Sequence, residues 1–103
     1  MSGNTQLQEQ AAEVGRVLSA ISNERRLLIL CHLQQQGETP VSGLVRITGL
    51  SQSALSQHLA LMRHEGLVRA RKDGLIVFYS IADSRIQSLM ASLEAIFCPA
   101  DII

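Results

Sequence analysis

Leu44-Val45-Arg46-Ile47-Thr48-Gly49-Leu50-Ser51-Gln52-Ser53-Ala54-Leu55-Ser56-Gln57-His58-Leu59 decides how the rest of the chain is read. Its first five residues pattern as the end of a short apolar helix, and Gly49 supplies the left-handed residue of a tight turn. Ser51 is a good N-cap for a following helix from about Gln52 to Glu65, which Gly66 stops. On that helix Leu55, Leu59 and Met62 share one face, and Gln52, Ser53, Ser56, Gln57 and Ala60 lie roughly opposite. Beyond it, Leu67 to Lys72 and Ile76 to Ile81 are β-rich runs joined across Asp73-Gly74, a strong hairpin signal. Helix, tight turn, polar-faced helix and basic hairpin together predict a mainly α fold with a β-hairpin wing, a winged helix-turn-helix.

Working outward, Leu7, Ala11, Val14, Leu18 and Ile21 form one stripe of a first helix. Asn23 is placed to cap a second helix with Glu24 in its first turn. That helix, through Leu27-Leu28-Ile29-Leu30-Cys31-His32-Leu33, is apolar almost all round and is expected to be central and buried, with Gly37 ending it. Thr39-Pro40 reads as an N-cap followed by proline at the first helical position. Asp83 caps a last helix with the stripe Ile86, Leu89, Met90, Leu93 and Phe97, and Pro99 stops it.

The 103 residues suit one domain, 1–103, a single winged helix-turn-helix DNA-binding domain with N- and C-terminal dimerisation helices. A chain this short cannot cover the stripes of both its first and last helices. Leu7/Ala11/Val14/Leu18 and Leu89/Met90/Leu93/Phe97 are therefore expected to bury against a second copy, as a symmetric homodimer.

Composition narrows the partner. Hydrophobic residues make up 47% of the chain but aromatics only 3%, so the core is aliphatic. Binding of single strands by base stacking is disfavoured, because it needs exposed rings. The formal charge is zero, yet it is unevenly spread. From Ser42 to Tyr79 there are five cations against two anions, and elsewhere four against seven. The basic surplus lies on the segment expected to meet duplex DNA. No run of ~18 apolar residues suggests a membrane span, and the polar start, Met1 to Gln10, lacks the pattern of a secretion signal. A cytoplasmic location is the expectation, and there a purely structural disulfide between Cys31 and Cys98 is disfavoured.

The short and amide side chains Gln52, Ser53, Ser56 and Gln57 can approach a major-groove floor, where Gln pairs with adenine and Ser serves several bases. Arg69 and Arg71 alternate onto one face of the hairpin strand and Lys72 sits near its tip. Such cations neutralise phosphates without reading sequence. His58 is a candidate for phosphate contact or for a partly buried, hydrogen-bonded role. His32 and His64 have no second ligand at helical spacing, so no metal site is expected. There is no Cys-x-x-Cys, no Gly-rich phosphate loop and no acid/base constellation, so neither an enzyme nor a cofactor is expected.

At Asn23-Glu24-Arg25-Arg26-Leu27, Leu50 to Leu59 and Gly66-Leu67-Val68, the chain resembles the ArsR/SmtB family of bacterial winged-helix repressors. The resemblance runs from about Ala11 to Pro99. It implies a homodimer that binds a double-stranded operator and releases it when an inducer arrives. Many members sense metals, but the third-helix thiolates are missing between Val41 and Ile47. The last-helix site fares no better: Asp83 is present, with no histidine from there to Ile103. A metal-responsive repressor is therefore the weaker alternative. Cys31 and Cys98 look like the thiol pair of the BigR/SqrR-type branch, which senses persulfides and other reactive sulfur species. For that branch the resemblance implies that the two thiols join by a disulfide or longer sulfur bridge and DNA affinity falls. The chain is also similar to HlyU-type regulators, which implies the alternative of activation by displacing a silencing protein.

Overall fold

The computed structural model describes residues 2–98, with side chains from Thr5 onward. Five helices and three short strands follow one another: α1 (Ser2–Ile21), α2 (Glu24–Gln36), β1 (Thr39–Pro40), α3 (Val41–Thr48), α4 (Gln52–His64), β2 (Val68–Asp73), β3 (Ile76–Ile81) and α5 (Ser84–Phe97). The strands make one antiparallel sheet in the order β1-β3-β2. This is a winged helix-turn-helix, mainly helical, as the sequence predicts.

The caps explain where the helices start. Asn23 accepts from the backbone N–H groups of Arg25 and Arg26, satisfying donors that the first turn of α2 leaves open. Ser51 does the same for Ala54 in α4, and Asp83 for Arg85 in α5. Between α3 and α4, Gly49 takes φ +68° and ψ +11°, a left-handed conformation that a side chain would disfavour. The predicted stop at Pro99 lies outside the described residues.

The aliphatic core is drawn from every helix. Val17 and Ile21 of α1, Ile29, Leu30 and Leu33 of α2, Leu44 of α3 and Leu55, Leu59 and Met62 of α4 pack with Ile86 and Met90 of α5. Leu67 and Val68 bring in the start of the wing. Burial of α2 is one-sided, contrary to the expectation of burial all round. Leu28 is exposed and Cys31 half-buried, because that side of α2 faces a groove instead of the core.

Thr39-Pro40 does not begin a helix. It forms β1, pairing Thr39 with Tyr79 and Pro40 with Phe78 of β3. The Thr39 hydroxyl donates to the Gly37 carbonyl at 2.8 Å, so it is not free to cap α3. A residue before proline favours extended backbone, and an edge strand tolerates the missing N–H. Pro40 becomes the N-cap of α3, without a side-chain hydrogen bond.

The hairpin turn falls one residue later than expected. Asp73 pairs with Ile76, so the loop is Gly74-Leu75. Gly74 takes φ +63° at the first loop position, which favours glycine in two-residue hairpins. Leu75 is left at the tip, 99% exposed.

The stripe predicted for α5 divides. Met90 is fully buried in the protomer's own core and cannot serve an interface with a second copy. Leu89 and Leu93 pack partly against that core, while Ile96 and Phe97 are exposed. On α1 the inner side is Val17, Ala20 and Ile21, and the outer side exposes Leu7, Val14 and Leu18. The radius of gyration, 15.3 Å, exceeds the roughly 13 Å of a compact chain of this length.

Candidate nucleic-acid interface and thiol groove

The turn of the helix-turn-helix is tied to α2 from below. Arg25 donates to the Thr48 carbonyl at 2.6 Å, and the buried Thr48 hydroxyl donates to the Leu44 carbonyl and accepts from Leu50 N–H. Arg26 donates through Nε to the Ala20 carbonyl at 2.7 Å, and its Nη1 lies 3.3 Å from His58 Nδ1. The Asn23-Glu24-Arg25-Arg26 segment thus caps its own helix and orients α4 as well.

His58 is half-buried beside this tie, and its contact with phosphate remains an expectation. Burial, and then the neighbouring Arg26 and Arg25 cations, hold its pKa below the usual histidine value. In its neutral form the imidazole can accept at Nδ1 from Arg26, which links α4 to α2. Gln52, Ser53, Ser56 and Gln57 are all exposed on the outer side of α4, with Ala60 continuing it.

The sequence reading counted Arg46 and Arg63 in the basic segment but did not place either beside this face. Arg63 and His64 line a shallow groove with Ser56, Ala60 and Tyr79, which extends the outer face of α4 towards the wing. Arg46 is exposed on α3. Among the described residues, Arg46, Arg63 and Lys72 form no ion pair. The signal for Arg63 was available: it lies seven residues after Ser56, two helical turns along the same face.

The three wing cations differ in circumstance. Lys72 is exposed, and among the described residues Arg69 makes only a long hydrogen bond, to the Ala82 carbonyl at 3.5 Å. Arg71 is held by Glu38 in a two-pronged pair, with Nε to Oε2 at 2.9 Å and Nη2 to Oε1 at 2.7 Å. Sequence alone placed Glu38 among the distant anions and gave no sign of this pairing.

Cys31 and Cys98 come together in one groove between α2 and α5. Its volume is about 540 Å³, and Leu27, Leu28, Leu93 and Phe97 give it apolar walls. Glu24, Gln35 and Glu94 supply the polar edge, with Gln35 donating to Glu94 at 2.6 Å. Cys98 is exposed and Cys31 half-buried. Burial pushes the Cys31 thiol above its ordinary pKa, and the nearby Cys98 and Glu94 raise it further. Among the described residues no cluster of three His, Cys, Asp or Glu side chains could hold a metal ion. Asp83 is engaged by Arg85 and by its capping bond. No described helix is long and apolar enough to cross a membrane.

Fold and site define a DNA-binding regulator, and comparison with known proteins gives its family. The model for bacterial regulatory proteins of the arsR family matches residues 23–70. The HTH-type transcriptional regulator YgaV of Escherichia coli K12 is 43% identical over 99 residues, covering 96% of this chain and all of the relative. The transcriptional activator HlyU of Vibrio cholerae is 40% identical, over 93% of this chain and 88% of the relative. The biofilm growth-associated repressor of Xylella fastidiosa is 33% identical, over 89% and 80%. Among solved structures, reduced HlyU from V. cholerae superposes with a TM-score of 0.86 at 40% identity, covering 90% of this chain and 97% of that one. A homodimeric winged helix-turn-helix DNA-binding domain from Mycobacterium bovis does so at 0.76 and 33%, covering 88% and 83%. The chain belongs to the arsR family of bacterial regulatory proteins. It is a DNA-binding transcriptional regulator and not an enzyme.

Proposed function

We propose that the chain is a cytoplasmic homodimeric repressor whose hold on an operator is broken when persulfide or another reactive sulfur species oxidises Cys31 and Cys98. The observation that carries this reading is the shared groove, which brings together two thiols distant in sequence. In the first step the Cys98 thiolate attacks the terminal sulfur of a persulfide, forming Cys98–S–SH and expelling the donor thiolate. The Cys31 thiolate then attacks the inner sulfur, forming a Cys31–Cys98 disulfide and releasing hydrosulfide. A longer bridge consumes further persulfide and tolerates a wider gap than the ~7 Å between Cα atoms that limits a disulfide.

The outer sides of α1 and α5 are the proposed dimer surface. Leu7, Val14, Leu18, Ile96 and Phe97 are exposed there, and a relative of the same fold is homodimeric. A bridge between α2 and α5 ties the core to that surface and alters the spacing of the two α4 helices. Two half-sites must be met about one DNA turn, ~34 Å, apart, so small changes are costly. Within each half-site, Gln52, Ser53, Ser56 and Gln57 are the proposed base readers, with Arg69 and Lys72 on phosphates.

Mass spectrometry after persulfide, peroxide and disulfide treatment, paired with a gel shift, tests the reading. A Cys31–Cys98 link that accompanies DNA release is expected. Release without any link overturns it. The second reading is activation by displacing a silencing protein, favoured by the 40% identity to an activator. Target transcription falls on gene deletion under that reading and rises under the first.

A further inference from the structure

Glu38 and Arg71 reach each other across the whole wing sheet. Glu38 immediately precedes β1 and Arg71 lies on β2, with β3 running between those strands. Phe78 of β3 is the register partner of both Arg71 and Pro40. The Arg71 guanidinium carbon sits 4.7 Å from the Phe78 ring centroid, so the ion pair passes over that ring. One edge of the guanidinium is filled by both Glu38 oxygens, and Asp73 stands 3.9 Å from Nη1. Such a planar, two-pronged pair fixes direction as well as distance.

The position of this pair in the register gives it a purpose. The row Pro40–Phe78–Arg71 is the last in which the sheet has three strands. Beyond it Lys72–Val77, Asp73–Ile76 and the Gly74-Leu75 loop project as a two-stranded ribbon. Two-stranded ribbons twist more than wider sheets and have little stability of their own. A contact at the base of the ribbon therefore governs where its tip points.

We propose that Arg71 and Glu38 form a clip that sets the angle of the wing on the helical body, making Glu38 a positioning residue for DNA binding. The pair carries no net charge, so Arg71 neutralises no phosphate and Lys72, with Arg69, carries that role at the wing. This assignment rests on the wing meeting DNA, as proposed above. It also gives an acidic residue, outside the basic segment, a favourable part in binding a polyanion.

The test is fluorescence anisotropy of the full chain with a labelled duplex of mixed sequence, over a series of salt concentrations. The variants are Glu38→Gln, Arg71→Gln, their combination and Lys72→Gln, each checked for an unchanged far-UV spectrum. Expected is a loss of roughly two- to fivefold for Glu38→Gln and for Arg71→Gln. The combination should be no weaker than the weaker single variant, and the salt slope should not change. Lys72→Gln should instead flatten the slope by about one phosphate contact. Affinity at or above wild type for Glu38→Gln overturns the clip, because that carboxylate would then compete with phosphate for Arg71. A flattened slope for Arg71→Gln overturns it too. If Lys72→Gln loses affinity while Glu38→Gln is silent, the clip alone fails. If both are silent, the wing does not meet DNA and both readings fail.

Discussion

Cys31 on α2 and Cys98 at the end of α5 open onto the same apolar groove but differ in access. Cys98 is exposed, while Cys31 is half-buried with its pKa raised by burial, by Cys98 and by Glu94. Only the thiolate is nucleophilic, so a raised pKa slows Cys31 at neutral pH. Iodoacetamide should label Cys98 first, and Cys31 labelling should rise with pH through its raised pKa. Glu94→Gln removes one of the groups that raise it, so the Cys31 profile should move to lower pH. Peptide mapping at timed quenches reads both, and an unmoved profile would remove Glu94 from the account. Burying the neutral thiol is harmless below the ordinary thiol pKa, and its contribution is lost as pH rises through the raised one.

Each thiol is needed to make the proposed link. Cys31→Ser and Cys98→Ser should therefore bind DNA like the wild type when reduced, and neither should let go under persulfide. The gel shift is run with and without persulfide, and with reductant added back. Release by the Cys31→Ser/Cys98→Ser double variant would send the search to a small-molecule or metal inducer.

The elements were legible in the sequence wherever a local signal specified them. Asn23, Ser51 and Asp83 cap helices because their side chains satisfy backbone donors two or three residues away. Gly49 marks the turn for an equally local reason. The outer face of α4 follows from helical periodicity alone. What escaped depends on contacts between distant segments. Thr39-Pro40 carries a helix-start pattern, but pairing with Phe78 and Tyr79 overrides it. The engagement of Arg71 by Glu38 and of His58 by Arg26 crosses 33 and 32 residues, and no periodicity encodes either. Met90 fits the exposed stripe by spacing, yet it points into the core, because α5 packs on α2 with that side. The thiol pairing was available only through family resemblance. The structure adds the groove that the two side chains share.

The exposed side of α1 gives a cleaner test of dimerisation than α5 does. Leu93 packs partly on its own core, so a charge there would disturb folding as well as association. Leu18 is 47% exposed in the protomer and lies outside the buried core. Leu18→Glu should leave the helical content intact, while its charge would be costly to bury against a second copy. Sedimentation should show a monomer at micromolar concentration, with operator affinity falling accordingly. A variant that remains fully dimeric would place the interface elsewhere.

Reading and positioning residues should separate on DNA. Gln57 is exposed on the outer side of α4, and a bidentate amide contact to adenine contributes roughly 1–3 kcal/mol of discrimination. Gln57→Ala should therefore weaken an operator, obtained by in vitro selection, more than a mixed-sequence duplex. Arg63 stands at the far end of the same face without an ion-pair partner among the described residues. The start of the recognition helix is the end that enters the groove in this motif, so a cation at its far end is expected on the phosphate backbone. Arg63→Ala should then weaken both duplexes alike and reduce the slope of log affinity against log salt by about 0.9. Equal losses on both duplexes for Gln57→Ala would remove it from base reading. An unchanged slope for Arg63→Ala would take the backbone away from that end of α4.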